Sequence, residues 1–287
     1  MLHIFFYFMN KYFWIILLCF FVFSASTSES KKKDVAIAND YFDQYRKERH
    51  LPPGELMVKT ALFFLETPYV ASTLEINETE QLVVNLRELD CMTLVENCFA
   101  LTRTVRSDTL TFGHFKHELQ RIRYRGGRID GYPSRLHYTS DWIADNVANR
   151  ILSDKTEEIG GKPLRFNLNF MSTHADSYKA LNNNPDDIAV MQQVENAVNR
   201  RNYYYIPKNE ISGKEKLIQN GDIICFVTSI EGLDISHLGI AYRKNGILTF
   251  IHASSQANKV IVNPESIAGY CAKMKRNTGI MVVRIKD

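Results

Sequence analysis

Residues 234–255 read DISHLGIAYRKNGILTFIHASS, and the Asn245-Gly246 pair near the middle is the strongest short-range signal for a two-residue hairpin turn. A turn there sets Lys244 opposite Ile247. Counting back along both arms brings Gly239 opposite His252 and His237 opposite Ser254. Side chains alternate along a strand, so His237 and His252 point to the same face as diagonal neighbours, at an offset where two imidazoles share a hydrogen bond. That face also carries Gly239 and Ala241, a hollow into which a helix bearing a reaction partner could pack. Leu238, Ile240, Ile247, Thr249 and Ile251 make the opposite face bulky.

Working outward, residues 223–228, 235–243, 247–252, 259–262 and 280–285 read as strands with turn signals between most of them. Helical patterns come first, at 34–49, 54–66, 91–104, 110–123, 141–152 and 185–201, with Pro52 and Pro53 separating the first two. A short strand is expected at 82–86, and 124–138 is a Gly-, Pro- and Arg-rich loop. Helices first and an antiparallel sheet last is an α+β arrangement. No repeat or linker interrupts it, so one domain is expected over 34–287, with about 105–205 as an inserted helical and loop region.

Asp90 reads as the N-cap of a helix that opens at Cys91. Unpaired N–H groups and the macrodipole at such a position favour an anion, which is one way reactive cysteines are made. Taken alone, a cysteine of this kind is ordinarily a small buried hydrophobe. The two histidines on one strand face make it a candidate nucleophile, with His237 as general base and His252 orienting that base.

The 287 residues carry 35 Lys+Arg against 32 Asp+Glu, a net charge of +3. That balance gives no support to a nucleic-acid partner. Residues 1–25 have the plan of a secretory signal peptide: Lys11, an uncharged apolar run over 12–23, then Ser24, Ala25 and Ser26. Its removal takes away Lys11 alone among the charges, leaving +2. The run is shorter than the roughly 20 residues of a spanning helix, so no stable membrane span is expected after cleavage. An uncleaved N-terminal anchor is the alternative, given the apolar residues ahead of Lys11. Cys98 and Cys225 read as core, and no C-x-x-C or H-E-x-x-H occurs, so neither metal nor cofactor is expected.

Asp90-Cys91, Gly221-Asp222-Ile223-Ile224, Ser236-His237-Leu238-Gly239-Ile240 and His252 on the next strand together resemble the motifs of the NlpC-type, bacterial papain-like cysteine peptidoglycan hydrolases. Thr67-Pro68-Tyr69-Val70 resembles their segment whose tyrosine lies against the catalytic cysteine. The runs LDCMTLVE (89–96) and GYPSRLHY (131–138), with Asp141-Trp142-Ile143, are similar to the N-acetylmuramoyl-L-alanine amidase-like branch found in Gram-negative bacteria. The resemblance runs, with interruptions, from about residue 63 to the C-terminus. Departures are Ala71-Ser72 after Tyr69-Val70, Met92-Thr93 after Cys91, and the 146 positions between Cys91 and His237.

The resemblance implies a papain-like fold, in which a helix carrying the nucleophile packs on an antiparallel sheet, with a helical insertion. It implies Cys91, His237 and His252 as catalytic residues, with Tyr69 and Asp90 in oxyanion-supporting and positioning roles. The substrate it implies is peptidoglycan or its muropeptide fragments, cut between the muramoyl lactyl group and the first L-alanine during turnover or recycling in the periplasm. The inserted loop would form a substrate wall. There Arg121, Arg123, Arg125, Arg128 and Arg135 interleave with Tyr124, Tyr132 and Tyr138, offering forks for carboxylates and flat faces for sugars. Tyr132, Ser134, Arg135 and His137 on this loop, and Ser236 beside the base, are the candidate substrate-binding residues. The alternatives are a D-glutamyl-dipeptide endopeptidase using the same triad, a zinc amidase, and a non-catalytic cell-wall-binding module.

Overall fold

The structure, a computed structural model, describes residues 29–286; the expected signal peptide lies outside the described residues. Helix α1 (29–45) is followed by α2 (Pro53–Phe63), α3 (Cys91–Arg106), α4 (Phe112–Arg123), α5 (Thr139–Ala148), α6 (Phe170–Thr173), α7 (Pro185–Asn199), α8 (Ile211–Lys214) and α9 (Ile267–Lys273). The strands are β1 (Leu152–Asp154), β2 (Lys162–Leu164), β3 (Tyr203–Pro207), β4 (Ile223–Thr228), β5 (Ile235–Lys244), β6 (Ile247–Ser254), β7 (Lys259–Val262) and β8 (Asn277–Ile285). They form one sheet in the order β2-β3-β8-β4-β5-β6-β7, with β1 also beside β8. Every pairing between these strands is antiparallel. The fold is α+β, as the order of helical and strand patterns indicates.

Sheet alternation divides the buried side chains between two layers. Leu238, Ile240, Ile251, Cys225 and Met281 join α1, α2, α3 and the 105–205 region in the larger apolar cluster. Phe226, Ala241, Phe250 and Val282 face the other way, against Ile267 and Cys271 of α9 and Ile211 of α8. Helix α3 runs through the larger cluster, buried on nearly all sides. Phe115 and Leu119 of α4, Trp142 of α5 and Met191 of α7 pack into the same cluster.

Residues 82–86 do not form the expected strand. This segment is extended but paired through side chains: Arg123 donates to the Val83 carbonyl, Asn97 to the Asn85 carbonyl, and the Leu86 N–H donates to Asp34. Strands β1, β2 and β3 and helix α9 were not expected from sequence; the first two have three residues each and α9 has seven. Among the described residues no helix is long and apolar enough to cross a membrane.

Candidate active site

The hairpin forms on Asn245-Gly246, both with positive φ, and in the expected register: Lys244 pairs with Ile247, Ala241 with Phe250 and Ile240 with Ile251. Beyond Ile240 and Ile251 the two strands stop pairing with each other. β5 continues along β4, with Leu238 opposite Cys225 and His237 opposite Phe226. β6 continues along β7, with His252 opposite Ile261 and Ser254 opposite Lys259. A seam therefore opens between β5 and β6 at the level of the two histidines. Nε2 of His237 lies 2.7 Å from Nδ1 of His252 across it.

Cys91, at the start of α3, reaches β5 beside His237, where the backbone of Leu238 acts on its thiol, and its charge acts on Tyr270. Asp90 caps α3 by accepting from the Thr93 N–H at 2.7 Å, and the Asp90 N–H donates to Thr93 Oγ1 at 2.9 Å, a reciprocal box that fixes the first turn. The residue is partly exposed. Burial of its thiol and the Asp90 charge push the thiol up to about 12, opposed by the backbone N–H groups of Leu238, Met92 and Cys91 itself. The Leu238 N–H thus serves the sulfur at the seam. His237 is held down at about 3 by burial and then by His252, and burial brings His252 down to about 4. At neutral pH the thiol keeps its proton and both imidazoles are uncharged.

The expected packing needs one correction. Helix α3 lies against the bulky face of the hairpin, with Leu94, Val95 and Cys98 among the partners of Leu238, Ile240 and Ile251. The hollow at Gly239 is filled from within the hairpin: a Cβ there would stand 2.4 Å from Phe250 Cδ2 and 3.3 Å from the His252 Cβ. Burying large apolar side chains drives helix docking, so the bulky face takes the helix. Gly239→Ala is accordingly expected to destabilise the protein by about 1–3 kcal/mol through overpacking. It should also slow turnover by displacing His252, read by thermal unfolding and by kcat.

Tyr69 is placed by backbone pairing. Its N–H donates to the Asn258 carbonyl at 3.0 Å and the Val70 N–H to the Leu89 carbonyl at 3.2 Å, tying the segment between β7 and the lead into α3. Burial, then the Cys91 and Asp90 charges, push the Tyr69 phenol up, so it stays a proton donor at neutral pH. Tyr270 of α9 was missed in the sequence. Its ring centroid lies 6.1 Å from His237 and 5.9 Å from His252, and the Cys91 charge acts on its phenol. A cleft of about 880 Å³ is lined by Ser236, His237, His252, Ser254, Asn263 and Tyr270 among others. Among the described residues no group of three or more His, Cys, Asp or Glu could hold a metal.

A model of the AmiA-like proteins, N-acetylmuramoyl-L-alanine amidase-like, matches residues 59–280. The chain belongs to this amidase-like family. An N-acetylmuramoyl-L-alanine amidase from Bacteroides uniformis is 39% identical over 82% of this chain and 99% of its own, with a TM-score of 0.79. A candidate xylanase from Bacteroides fragilis is 41% identical over 79% of this chain and 100% of its own, with a TM-score of 0.76. A Legionella pneumophila protein, 21% identical over 91% of this chain and 97% of its own, shares the fold with a TM-score of 0.69. No curated protein matches the chain.

In this amidase-like chain Arg123, Arg125 and Arg135 of the basic loop are tied up internally. Arg123 bonds Glu96 at 2.7 Å with both side chains buried, Arg125 bonds Asp141 at 2.7 Å, and Arg135 bonds Glu75 at 2.6 Å with Glu80 at 3.3 Å. The Arg135 guanidinium also lies over the Tyr132 ring, 5.0 Å from its centroid. His137 contacts the Tyr132 carbonyl through Nε2 at 2.9 Å and is held down at about 3 by burial and the Arg135 charge. Ser134 donates to the Gly131 carbonyl at 2.7 Å. Tyr132 borders a separate cavity of about 390 Å³ beside residues 74–81. Of the five candidate substrate-binding residues, only Ser236 lines the cleft with the histidines.

Proposed function

We propose that the chain is an exported cysteine amidase of papain-like design that hydrolyses the bond between N-acetylmuramic acid and L-alanine in peptidoglycan or its fragments. The observation that carries this reading is the 2.7 Å contact between His237 and His252, with the backbone of Leu238, the residue after His237, acting on the thiol of Cys91 at a helix start. The Nε2–Nδ1 contact leaves Nδ1 of His237 for the thiol proton. As that proton moves to His237, Sγ attacks the lactyl carbonyl carbon and an oxyanion forms. The N–H groups of Cys91 and Met92 and the Tyr69 hydroxyl stand around the sulfur to receive it. The C–N bond then breaks, and the leaving L-alanine amine takes the proton from His237. Water, deprotonated by the same imidazole, splits the thioester to the free lactyl acid and restores the thiol.

The family membership and the B. uniformis amidase support the choice of bond. Glycoside hydrolysis fits the cleft less well, because it calls for two carboxylates about 5–10 Å apart. The single acidic residue in the lining is Glu265, and it pairs with Lys273. The deciding experiment is mass spectrometry of defined muropeptides after incubation with residues 26–287. Free stem peptide beginning at L-alanine is the expected product. A cut after D-glutamate would make the protein the endopeptidase, and retention without cleavage would make it a binding module.

The pH profile follows from the lowered imidazoles. His237 acts as a base only when neutral, and its charged form is disfavoured. The acid limb of kcat/KM therefore lies well below the ordinary histidine value of about 6.5, and activity holds from pH 7 to about pH 5. An inflection between pH 6 and 7 would contradict this.

A further inference from the structure

We infer that Asn263 is a positioning residue that sets the tautomer of His252 and through it the proton-accepting state of His237. This rests on the catalytic reading above. In the β6–β7 register His252 faces Ile261, and the Asn263 N–H donates to the Phe250 carbonyl at 2.8 Å. Asn263 is thus the diagonal neighbour of His252 on one side, as His237 is on the other. The three side chains form a row across the sheet face that lines the cleft.

The donor and acceptor roles then follow one from the next. For His237 to accept the thiol proton at Nδ1, its other nitrogen, Nε2, must carry a hydrogen. That hydrogen is donated to His252 Nδ1, the 2.7 Å contact. His252 must then be protonated at Nε2, an atom that is buried and has no hydrogen-bond partner of good geometry in this structure. It needs an acceptor. The Asn263 amide supplies one: its Nδ2 already donates to the Glu265 carbonyl at 2.9 Å, which identifies Oδ1 as the oxygen left over. The Asn263 side chain also raises the proton affinity of the His252 ring, against the effect of burial.

The asparagine is held in place by its backbone, whose carbonyl accepts from Thr249 Oγ1 at 2.7 Å. The other titratable groups around the ring are His237 on β5 and Tyr270 on α9, and the Cys91 charge acts in turn on Tyr270. Lys275, Arg276 and the Glu265–Lys273 pair line the same cleft. No free carboxylate competes with Oδ1 for the Nε2 hydrogen among these groups.

The test combines imidazole ¹⁵N NMR with kinetics on the wild type, Asn263→Leu and Asn263→Asp. The wild type is expected to show His252 protonated at Nε2. Asn263→Leu should populate the Nδ1 tautomer and lose about 10–100-fold in kcat with KM unchanged, the range for removing an outer partner of an active-site imidazole. Asn263→Asp retains an acceptor and should recover most of kcat. Its carboxylate favours the imidazolium, so its acid limb moves to higher pH. Wild-type His252 protonated at Nδ1 would overturn the inference, as would Asn263→Leu with an unchanged tautomer and full kcat. The wild-type spectrum needs no variant to fold, and it reports the tautomer even if cysteine catalysis itself fails its own test.

Discussion

Cys91→Ala is expected to lower muramoyl-L-alanine amidase turnover by about five to six orders of magnitude, the usual scale for removing a covalent nucleophile, while leaving the fold in place. The cap of α3 is made by Asp90 and Thr93 and does not involve the thiol. The thiol is buried, but removing its one sulfur atom leaves only a small cavity. Unfolding midpoints within about 2 °C of wild type correspond to less than about 1 kcal/mol. His237→Ala should fall nearly as far, and the double variant no further than either, because nucleophile and base act as one unit. Additive losses in the double variant, or substantial turnover by Cys91→Ala, would remove the cysteine mechanism.

The largest effect on stability is expected from Arg123→Met. Glu96 and Arg123 are each 2% exposed and bond at 2.7 Å, and Arg123 also donates to the Val83 carbonyl at 2.6 Å. Their pairing ties α3, the helix that opens at Cys91, to the end of α4. Burial already pushes the Glu96 carboxyl up, with Arg123 the main counterweight. Removing the guanidinium strands a carboxylate in an apolar setting, at a cost of about 3–5 kcal/mol. Denaturant unfolding measures this. Adding Glu96→Leu should recover most of the loss, since replacing both partners with apolar groups leaves no unpaired charge. If the double variant were as unstable as Arg123→Met, the loss would come from packing and not from a stranded charge.

What the sequence makes legible is what is encoded locally. Asn245-Gly246 sets the hairpin register within ten residues of both histidines, so their meeting could be read from period-2 alternation alone. Asp90 announces the start of α3 by its own side chain. Periodicity says which side chains share a face but not which face a helix will cover, and that is where the hollow at Gly239 misled: Phe250, from the same hairpin, fills it. Arg123 and Arg135 look like open forks because their carboxylate partners lie far away in sequence, 27 positions for Glu96 and 60 for Glu75. Tyr270 sits on a seven-residue helix, too short for a hydrophobic period to emerge. Asn263 lies just past the end of β7 and gives no signal until the β6–β7 register is known.

The seam between β5 and β6 also bears on timing. The thiol belongs to a helix made early in the chain, while both histidines and the Leu238 N–H belong to strands made late, at least 146 positions further on. Contacts between segments so far apart close late in folding, because the loop entropy must be overcome before they return anything. A partly synthesised or partly folded chain holds an isolated cysteine at a helix start with no base beside it. On the cysteine mechanism proposed above, turnover therefore begins only once β5 and β6 have closed around the seam, and a chain that has not closed it is silent.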